Sequence, residues 1–596
     1  MTRVTIHTSR GAASTMPWSS LATATLQYQA RDLANQWIKR LRHVPFGPEN
    51  VTMRERFTYR GDSLWWFTEL YLQKMRRMET ALLAVTALDD LQARLAPTRV
   101  TCEGADPTTA VAARAWGAAR GVVVETPGAS TLSLAAERRR AAAVGWSAYA
   151  RLWRRGARPA PAAIGAFVHT AFVRGGDTYI GPVLDALVAQ AAPAAVHLVG
   201  VGPRRTYAAR GATGASAAGT AALTPIEALA PPSQLRGALR LWRKRAVLGD
   251  DVTRGDAVRD AARVLNIDLW PVLEVDLRMA AEVQWPWSAR AMDEAGAALD
   301  ALGCGTAVTY AEAGGVGRAL ILEARRRGVR TVGLQHGFIY RQWLNYLHEA
   351  DEWAPAGTDR GVPAPDQTLL YDHWAEGHLR NLGHFPGSRL TVTGSPRLDV
   401  LAARLTARTP RERAETRYAF GVTRSDQRLV LLTAKFSEVK DDLPSLVAAI
   451  GTMPDVHLVI KAHPAETADA YAPLVASTAN ITVAAPDADL AALLGSADAV
   501  VTKNSTVALD GLALGIPALV IGLPNNLTPF VTAGAMLGAD GPDATQERLA
   551  AVLYDQKVRV GLTDATNVFL SAHGIRPRGT AAVDAAAAIL DVKASD

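Results

Sequence analysis

The sequence predicts an α/β protein in which two doubly wound parallel sheets lie in tandem and face a cleft, preceded by an additional α/β region. Three observations carry this. From about residue 160 to 395, and again from Arg428 to Ile521, short apolar strand-like runs alternate with helical stretches, the pattern of a parallel sheet covered on both faces. The 596 residues suffice for about three or four domains. The composition, 49% hydrophobic and 20% charged, is that of globular chains and not of disordered ones.

Residues 1–60 carry no clear periodicity. Gly61 to Leu95 then reads as one helix whose Trp65, Trp66, Phe67 and Tyr71 pack a core. Arg99–Glu103, Thr108–Arg120 and Gly121–Glu125 follow as strand, helix and strand, a βαβ unit. Two basic, aromatic stretches interrupt the pattern: Glu137 to Arg155, ending at Pro159-Ala160-Pro161, and Leu239 to Arg245. Each suits a solvated helix face with a buried Trp. Each also suits a helix resting on an anionic membrane surface. The Pro-rich end of the first marks a boundary, so 1–158 is read as an N-terminal accessory region and 159–395 as one lobe.

In that lobe, Ile164–Thr170, Ala195–Pro203, Ala307–Tyr310 and Thr331–Leu334 are strands. Helices run through Tyr179–Leu187 and Gly317–Arg327. The second lobe, 396–596, has strands at Arg428–Thr433, Val456–Ile460, Ile481–Val483, Ala499–Thr502 and Ala518–Ile521. Its helices are Leu443–Gly451, Leu490–Leu494 and Thr506–Leu514.

Charge and targeting features narrow the class. Lys plus Arg number 64 and Asp plus Glu 57, a net charge of +7 that suits anions or an acidic membrane without demanding nucleic acid. Cys102 and Cys304 form neither a disulfide framework nor a metal motif. The start has no apolar signal segment, and no run reaches the ~18 apolar residues of a spanning helix. A cytoplasmic protein is expected, with peripheral association at the inner membrane left open.

Ligands of open parallel sheets sit beyond the carboxyl ends of the strands, and three marked segments fall there. Lys461-Ala462-His463-Pro464 follows one strand, with a cation and an imidazole suited to a phosphate. Asn504-Ser505-Thr506 joins another strand to a helix, where hydroxyls and backbone N–H groups suit an anion and Asp510 suits ribose hydroxyls; an ordinary helix cap uses the same residues. Gln335-His336-Gly337 lies in the other lobe near Glu312, where a His and a Glu at neighbouring strand ends suit base and orienting roles. The Gly314-Gly315 turn is neither a Walker loop nor a dinucleotide fingerprint. No carboxylates are paired as a metal site requires, so neither metal nor cofactor is expected.

Taken in order, Gln335-His336-Gly337, Val392 to Asp399 (Val-Thr-Gly-Ser-Pro-Arg-Leu-Asp), Lys461 to Pro464, and Asn504-Ser505-Thr506 with Asp510 and Gly515-Ile516-Pro517 resemble the bacterial capsule and surface-polysaccharide glycosyltransferases of GT-B fold. Kdo transferases and CDP-glycerol glycerophosphotransferases are among them. The resemblance covers about 300–530 well, 160–300 loosely and 1–150 hardly at all. It implies transfer from a nucleotide-activated donor to a hydroxyl of a glycan or lipid-linked acceptor. His463, Ser505 and Thr506 would hold donor phosphates and Asp510 the ribose, although the family carries Glu there. His336 would stand on the acceptor side. The catalytic candidates are His336 and Glu312, then Asp177 and His169. Arg397 is read as pairing with Asp399 in preference to a donor phosphate. Two alternatives stay open: a sugar-nucleotide 2-epimerase of the same two-lobed fold, and a non-catalytic nucleotide-sugar-binding scaffold.

Overall fold

The computed structural model describes residues 2–590 apart from 10, 12, 47–49, 150–158, 170–179, 192–195, 202–222, 311, 464–465 and 476–477. The N-terminal region opens with β1 (Arg3–Thr8) and β2 (Ser14–Pro17), which the sequence leaves unread, and continues with β3 (Pro97–Glu103) and β4 (Val123–Glu125). The strand order is β2-β1-β3-β4. β1 is antiparallel to both neighbours, whereas β3 and β4 are parallel and joined through the helix Pro107–Arg120, the expected βαβ unit.

The helix Ala24–Leu41 was also hidden in the sequence. Its buried face, Ala30, Ala34, Trp37, Ile38 and Leu41, has helical spacing, but it is diluted by small alanines and by buried Asn35 and Lys39. The single helix expected from Gly61 to Leu95 is in fact two, Trp65–Met75 and Arg77–Leu95, separated by Arg76 in the left-handed region at φ 55°. The break brings Arg77 onto buried Asp276.

The N-terminal region shares one continuous core with the helices Trp270–Met279 and Trp285–Leu302 and with the segment 339–364. Polar groups cross the same junction. Lys39 donates to Glu69 (2.7 Å) and Glu352 (2.9 Å), Glu69 also accepts from Arg318, and Arg54 pairs with Asp359 (2.7 Å). The Tyr59 hydroxyl donates to Asp293 (2.7 Å), which accepts the Ala238 N–H (3.0 Å). Gly237 lies against that hydroxyl so closely that a Cβ would overlap it. Gly237→Ala is therefore expected to cost about 1–3 kcal/mol, read as a lower Tm; an unchanged Tm would mean that the hydroxyl moves freely.

The first large sheet holds β5 (Ile164–His169), β6 (Val196–Val201), β7 (Leu223–Pro225), β8 (Thr306–Tyr310), β9 (Arg330–Leu334), β10 (Gln367–Leu370) and β11 (Leu390–Val392). All pairings are parallel, in the order β7-β6-β5-β8-β9-β10-β11. The second holds β12 (Arg428–Ala434), β13 (Val456–Ala462), β14 (Ile481–Ala484), β15 (Ala499–Thr502), β16 (Ala518–Ile521) and β17 (Leu537–Ala539), also parallel, ordered β14-β13-β12-β15-β16-β17.

In both sheets the chain runs outward from the first strand, returns, and continues on its other side. That is the doubly wound order, which opens a crevice where the direction reverses. The crevices lie beyond β5/β8 and beyond β12/β15. The protein is thus two Rossmann-like lobes with an N-terminal α/β region, the fold class the sequence predicts.

Aromatic packing holds the lobes together. Phe338 and Trp374 of the first lobe meet Phe530 of the second at centroid distances of 5.5 and 5.0 Å, and Phe530 stacks toward Phe569 at 4.7 Å. After the helix Gln556–His573 the chain crosses back, and the helix Ala581–Leu590 packs on the first sheet through Ala585, Ala586 and Ile589. Asp399 anchors the crossing by accepting the N–H groups of Arg578 (2.6 Å) and Ala581 (2.9 Å). Among the described residues no helix is long and apolar enough to cross a membrane.

Candidate functional site

Between the lobes lies a small cleft, open to solvent. Gln335, Phe338, Tyr371, Asp372 and Trp374 line it from the first lobe; Thr506, Leu509 and Asp510 line it from the second. Ser395 and Leu398 come from the joining segment, and Ile575 and Arg576 from the return crossing.

The second-lobe wall sits at its sheet's switch point. Thr502, the last residue of β15, donates its hydroxyl to Thr433 O of β12 (2.9 Å) and accepts the Ser505 N–H (3.0 Å), which fixes the turn. The Ser505 hydroxyl accepts the Val507 N–H (3.3 Å), the ordinary capping role, and the Asn504 side-chain oxygen accepts the Asn526 N–H (3.2 Å). Thr506 makes no such cap and lines the cleft. The helix that follows, Val507–Ala513, is under two turns, so hydroxyls and side chains matter more here than a macrodipole.

Asp510 reaches the cleft wall, but its partner differs from expectation. Arg397 pairs with Asp510 (2.6 Å), both side chains being buried, and not with Asp399. Asp399 is already occupied by the backbone N–H groups of the crossing segment, and the Arg397 guanidinium turns to the buried carboxyl instead. Burial raises the Asp510 pKa, and Arg397 pulls it partly back.

Lys461 lies within β13 and not after it. Its ammonium is buried and donates to Pro486 O (2.6 Å), so the cation expected to meet a phosphate is committed to a loop carbonyl. Lys503 is likewise paired, with Asp442 (2.7 Å). His463 is half-buried just past β13, with its carbonyl accepting the Glu466 N–H (2.9 Å), and is not among the residues lining the cleft. Pro464 lies outside the described residues, as does Asp177.

In the first lobe, Gln335 stitches strand ends together. Its N–H donates to Leu369 O (3.0 Å), its amide NH₂ donates to Gly337 O (2.8 Å), and its amide oxygen accepts the Tyr371 N–H (2.8 Å). Gly337 has open space where a side chain would stand. The His336 ring packs against Tyr310 (5.8 Å) and Trp343 (5.4 Å). Part of the residue reaches solvent, yet the ring itself is densely surrounded, and burial lowers its pKa to about 4. It is neutral at physiological pH and a weak base.

Glu312 is buried beneath the strand end. It accepts the Tyr346 hydroxyl (2.6 Å) and fills the space left by Gly333, where a Cβ would come within 2.9 Å of it. Burial, then the Glu312 carboxylate, raises the Tyr346 pKa well above the usual phenol. His169 closes β5 at the first lobe's switch point, and burial lowers its pKa.

Two charged cleft residues escaped the sequence reading. Asp372 follows β10 and caps the helix His373–Leu382, accepting the Ala375 N–H (2.8 Å). Burial outweighs that stabilisation and raises its pKa to about 6. Its signal was an apolar run, Leu369-Leu370, ending in Tyr371-Asp372, the same strand-end pattern used elsewhere. Arg576 lies between Gly574, which ends its helix in the left-handed conformation (φ 63°), and Pro577. The backbone is pinned on both sides, and the exposed side chain has no acidic partner among the described residues. It is the cleft cation that Lys461 and Lys503 are not. Among the described residues no group of three or more His, Cys, Asp or Glu is arranged to hold a metal.

No protein-family model matches the chain, and no curated protein matches it in sequence. Among solved structures it is similar to a UDP-GlcNAc 2-epimerase from Neisseria meningitidis bound to UDP-GlcNAc, at 12% identity over 68% of this chain and 98% of that one, TM-score 0.42. It is similar to a glycosyltransferase from Rickettsia africae at 10% identity over 73% and 100%, TM-score 0.44. It is also similar to the wall teichoic acid polymerase TagF, in a structure with CDPG, at 12% identity over 72% and 88%, TM-score 0.40. Likenesses this distant do not discriminate between transferase and epimerase.

Proposed function

We propose that the protein is a glycosyltransferase that moves a sugar, or a polyol phosphate, from a nucleotide-activated donor to a hydroxyl of a surface-polysaccharide or lipid-linked glycan acceptor. The observation that carries this is the cleft itself. It joins the switch-point turn of the second sheet, through Thr506 and Asp510, to the strand ends of the first, through Gln335, Tyr371 and Asp372, with the Arg576 guanidinium, which has no acidic partner among the described residues, at its rim. A nucleotide-activated donor needs such a polar anion-holding wall, and an acceptor needs a base on the facing wall.

In this reading the donor phosphate lies against Arg576 and the Thr506 hydroxyl. Asp510, charge-compensated by Arg397, faces the ribose. The acceptor hydroxyl gives its proton to Asp372 as its oxygen bonds to the donor's reacting atom. The bond from that atom to the nucleotide phosphate breaks, and Arg576 stabilises the charge left on the phosphate oxygen. His336, neutral and packed on Tyr310 and Trp343, is not among the residues lining the cleft and acts by supporting its wall. Glu312 acts through Tyr346, shaping the wall and not taking the proton. Reaction in the cytoplasm, at the inner face of the membrane, completes the proposal. The single Asp510 after Asn504-Ser505-Thr506 favours transfer over epimerisation, in which paired acids would be expected.

Binding comes first in the tests. A thermal-shift screen of CMP, CDP, UDP and GDP is expected to find one nucleotide that raises Tm by mass action. Loss of one charged hydrogen bond in Arg576→Ala should weaken that nucleotide about 10- to 100-fold by calorimetry. No nucleotide binding at all would refute the reading, and unchanged affinity in Arg576→Ala would remove Arg576 from it.

A further inference from the structure

The helix Arg236–Val252 is seated rigidly on one side and unusually charged on the other. On the packed side, Gly237 makes room for the Tyr59 hydroxyl, and Gly249 for Glu282, whose carboxylate would lie 2.9 Å from a Cβ. Ala238, Gly249 and Val252 are buried there, and the Ala238 N–H is held by Asp293 (3.0 Å). The helix therefore cannot roll, and its outer face is fixed toward solvent.

That outer face carries Arg236, Arg240, Arg243, Lys244 and Val247, all exposed. At about 100° per residue these five positions span only about 100° of arc, along roughly 16 Å of helix. Among the described residues none of the four cations has an acidic partner. The acids in the last turn are engaged elsewhere, Asp250 with Arg278 (2.5 Å) and Asp251 with Arg56 (3.0 Å). Val247, 69% exposed, stands among the cations. Four uncompensated charges on a fixed face repel one another, and no ion pair among the described residues uses them.

We propose that this face docks the protein on an anionic phospholipid surface. The cations lie in one stripe along a single helix, an arrangement that suits a flat anionic surface. They would lie at the level of the lipid phosphates while Val247 enters the apolar edge of the headgroup layer. A nucleic acid would leave the valine without a role and would call for stacking aromatics between the cations. The inference is independent of the chemistry in the cleft, and it identifies a place at which an enzyme acting on lipid-linked material would meet its membrane.

The test is co-sedimentation of the full chain with vesicles containing one-third phosphatidylglycerol in phosphatidylcholine, against phosphatidylcholine alone. The protein is expected to pellet with the anionic vesicles only, and to be released by high salt because surface charges are screened. Each cation near the surface is worth roughly five-fold in partitioning, so R240E/R243E/K244E should lose binding more than 100-fold. All three positions are exposed, so the variant should keep the wild-type Tm and nucleotide response. Wild-type protein left in the supernatant, or a triple variant that pellets as well as wild type, would overturn the proposal. So would duplex DNA that displaces the protein from the vesicles at lower charge concentration than the lipid itself.

Discussion

Asp372→Asn is expected to lower turnover by about 10²–10⁴-fold, the usual contribution of a positioned base, while leaving nucleotide affinity unchanged and raising stability at neutral pH. The substitution separates two roles. Asn caps a helix about as well as Asp, so the bond to the Ala375 N–H survives. It cannot accept a proton.

The stability effect follows from the sign of the shift. An unfolded Asp titrates near 3.9, whereas burial raises folded Asp372 to about 6. A carboxyl with a raised folded pKa binds its proton more tightly in the folded state. The stability it contributes is fully present below the unfolded value and is lost as pH rises through the folded one. Above that window the wild type carries a penalty of at most about 3 kcal/mol, less where cleft solvent screens the charge. The Tm advantage of the variant should thus open between about pH 4 and 6 and vanish below. A residue that merely caps would show unchanged turnover, whatever the pH dependence of its Tm.

Glu69→Ala is expected to cost about 3–5 kcal/mol, the loss typical when one member of a buried ion cluster is removed. Glu69 is fully buried and accepts from both Lys39 and Arg318. Without it, Arg318 keeps only the carbonyls of Trp66 (2.6 Å) and Asn345 (3.2 Å). The comparison is Glu415→Ala, which removes the exposed Arg411 pair and should cost less than about 0.5 kcal/mol. Denaturant unfolding of both variants decides the matter; equal costs would mean that the cluster is not holding the N-terminal region to the first lobe. Turnover should fall with Glu69 as well, because Asn345 and Glu352, in the segment after His336, are held by the same cluster.

The fold was legible where the apolar period was clean. Longer apolar strands such as Arg428–Ala434 and Val456–Ala462 follow directly from their valine, leucine and isoleucine content, whereas the short strands Leu223–Pro225, Gln367–Leu370, Leu390–Val392 and Leu537–Ala539 were not read. The helix Ala24–Leu41 was not legible, because Asn35 and Lys39 occupy its buried face and find their partners outside it, Asn35 on Gln342 and Lys39 on Glu69 and Glu352. The break at Arg76 was invisible for a similar reason: it serves the distant Asp276.

At the site, strand-end logic pointed to Gln335, Thr506 and Asp510, which line the cleft. The same logic could have found Asp372. It misplaced Lys461, because two more residues of strand turn a loop cation into a buried one. Arg397 was assigned to the carboxylate nearest in sequence, whereas the return crossing had already claimed Asp399. Arg576 could not be placed by local pattern, since only the chain's return from the second lobe to the first brings it to the cleft.

The most direct measurement is a crystal structure of the protein soaked with whichever of CDP or UDP raises its Tm. Density for the nucleotide is expected in the cleft, with phosphate against Arg576 and Thr506 and ribose toward Asp510. A nucleotide bound anywhere else, or a cleft that stays empty at saturating nucleotide, would contradict the assignment of the cleft as the donor site.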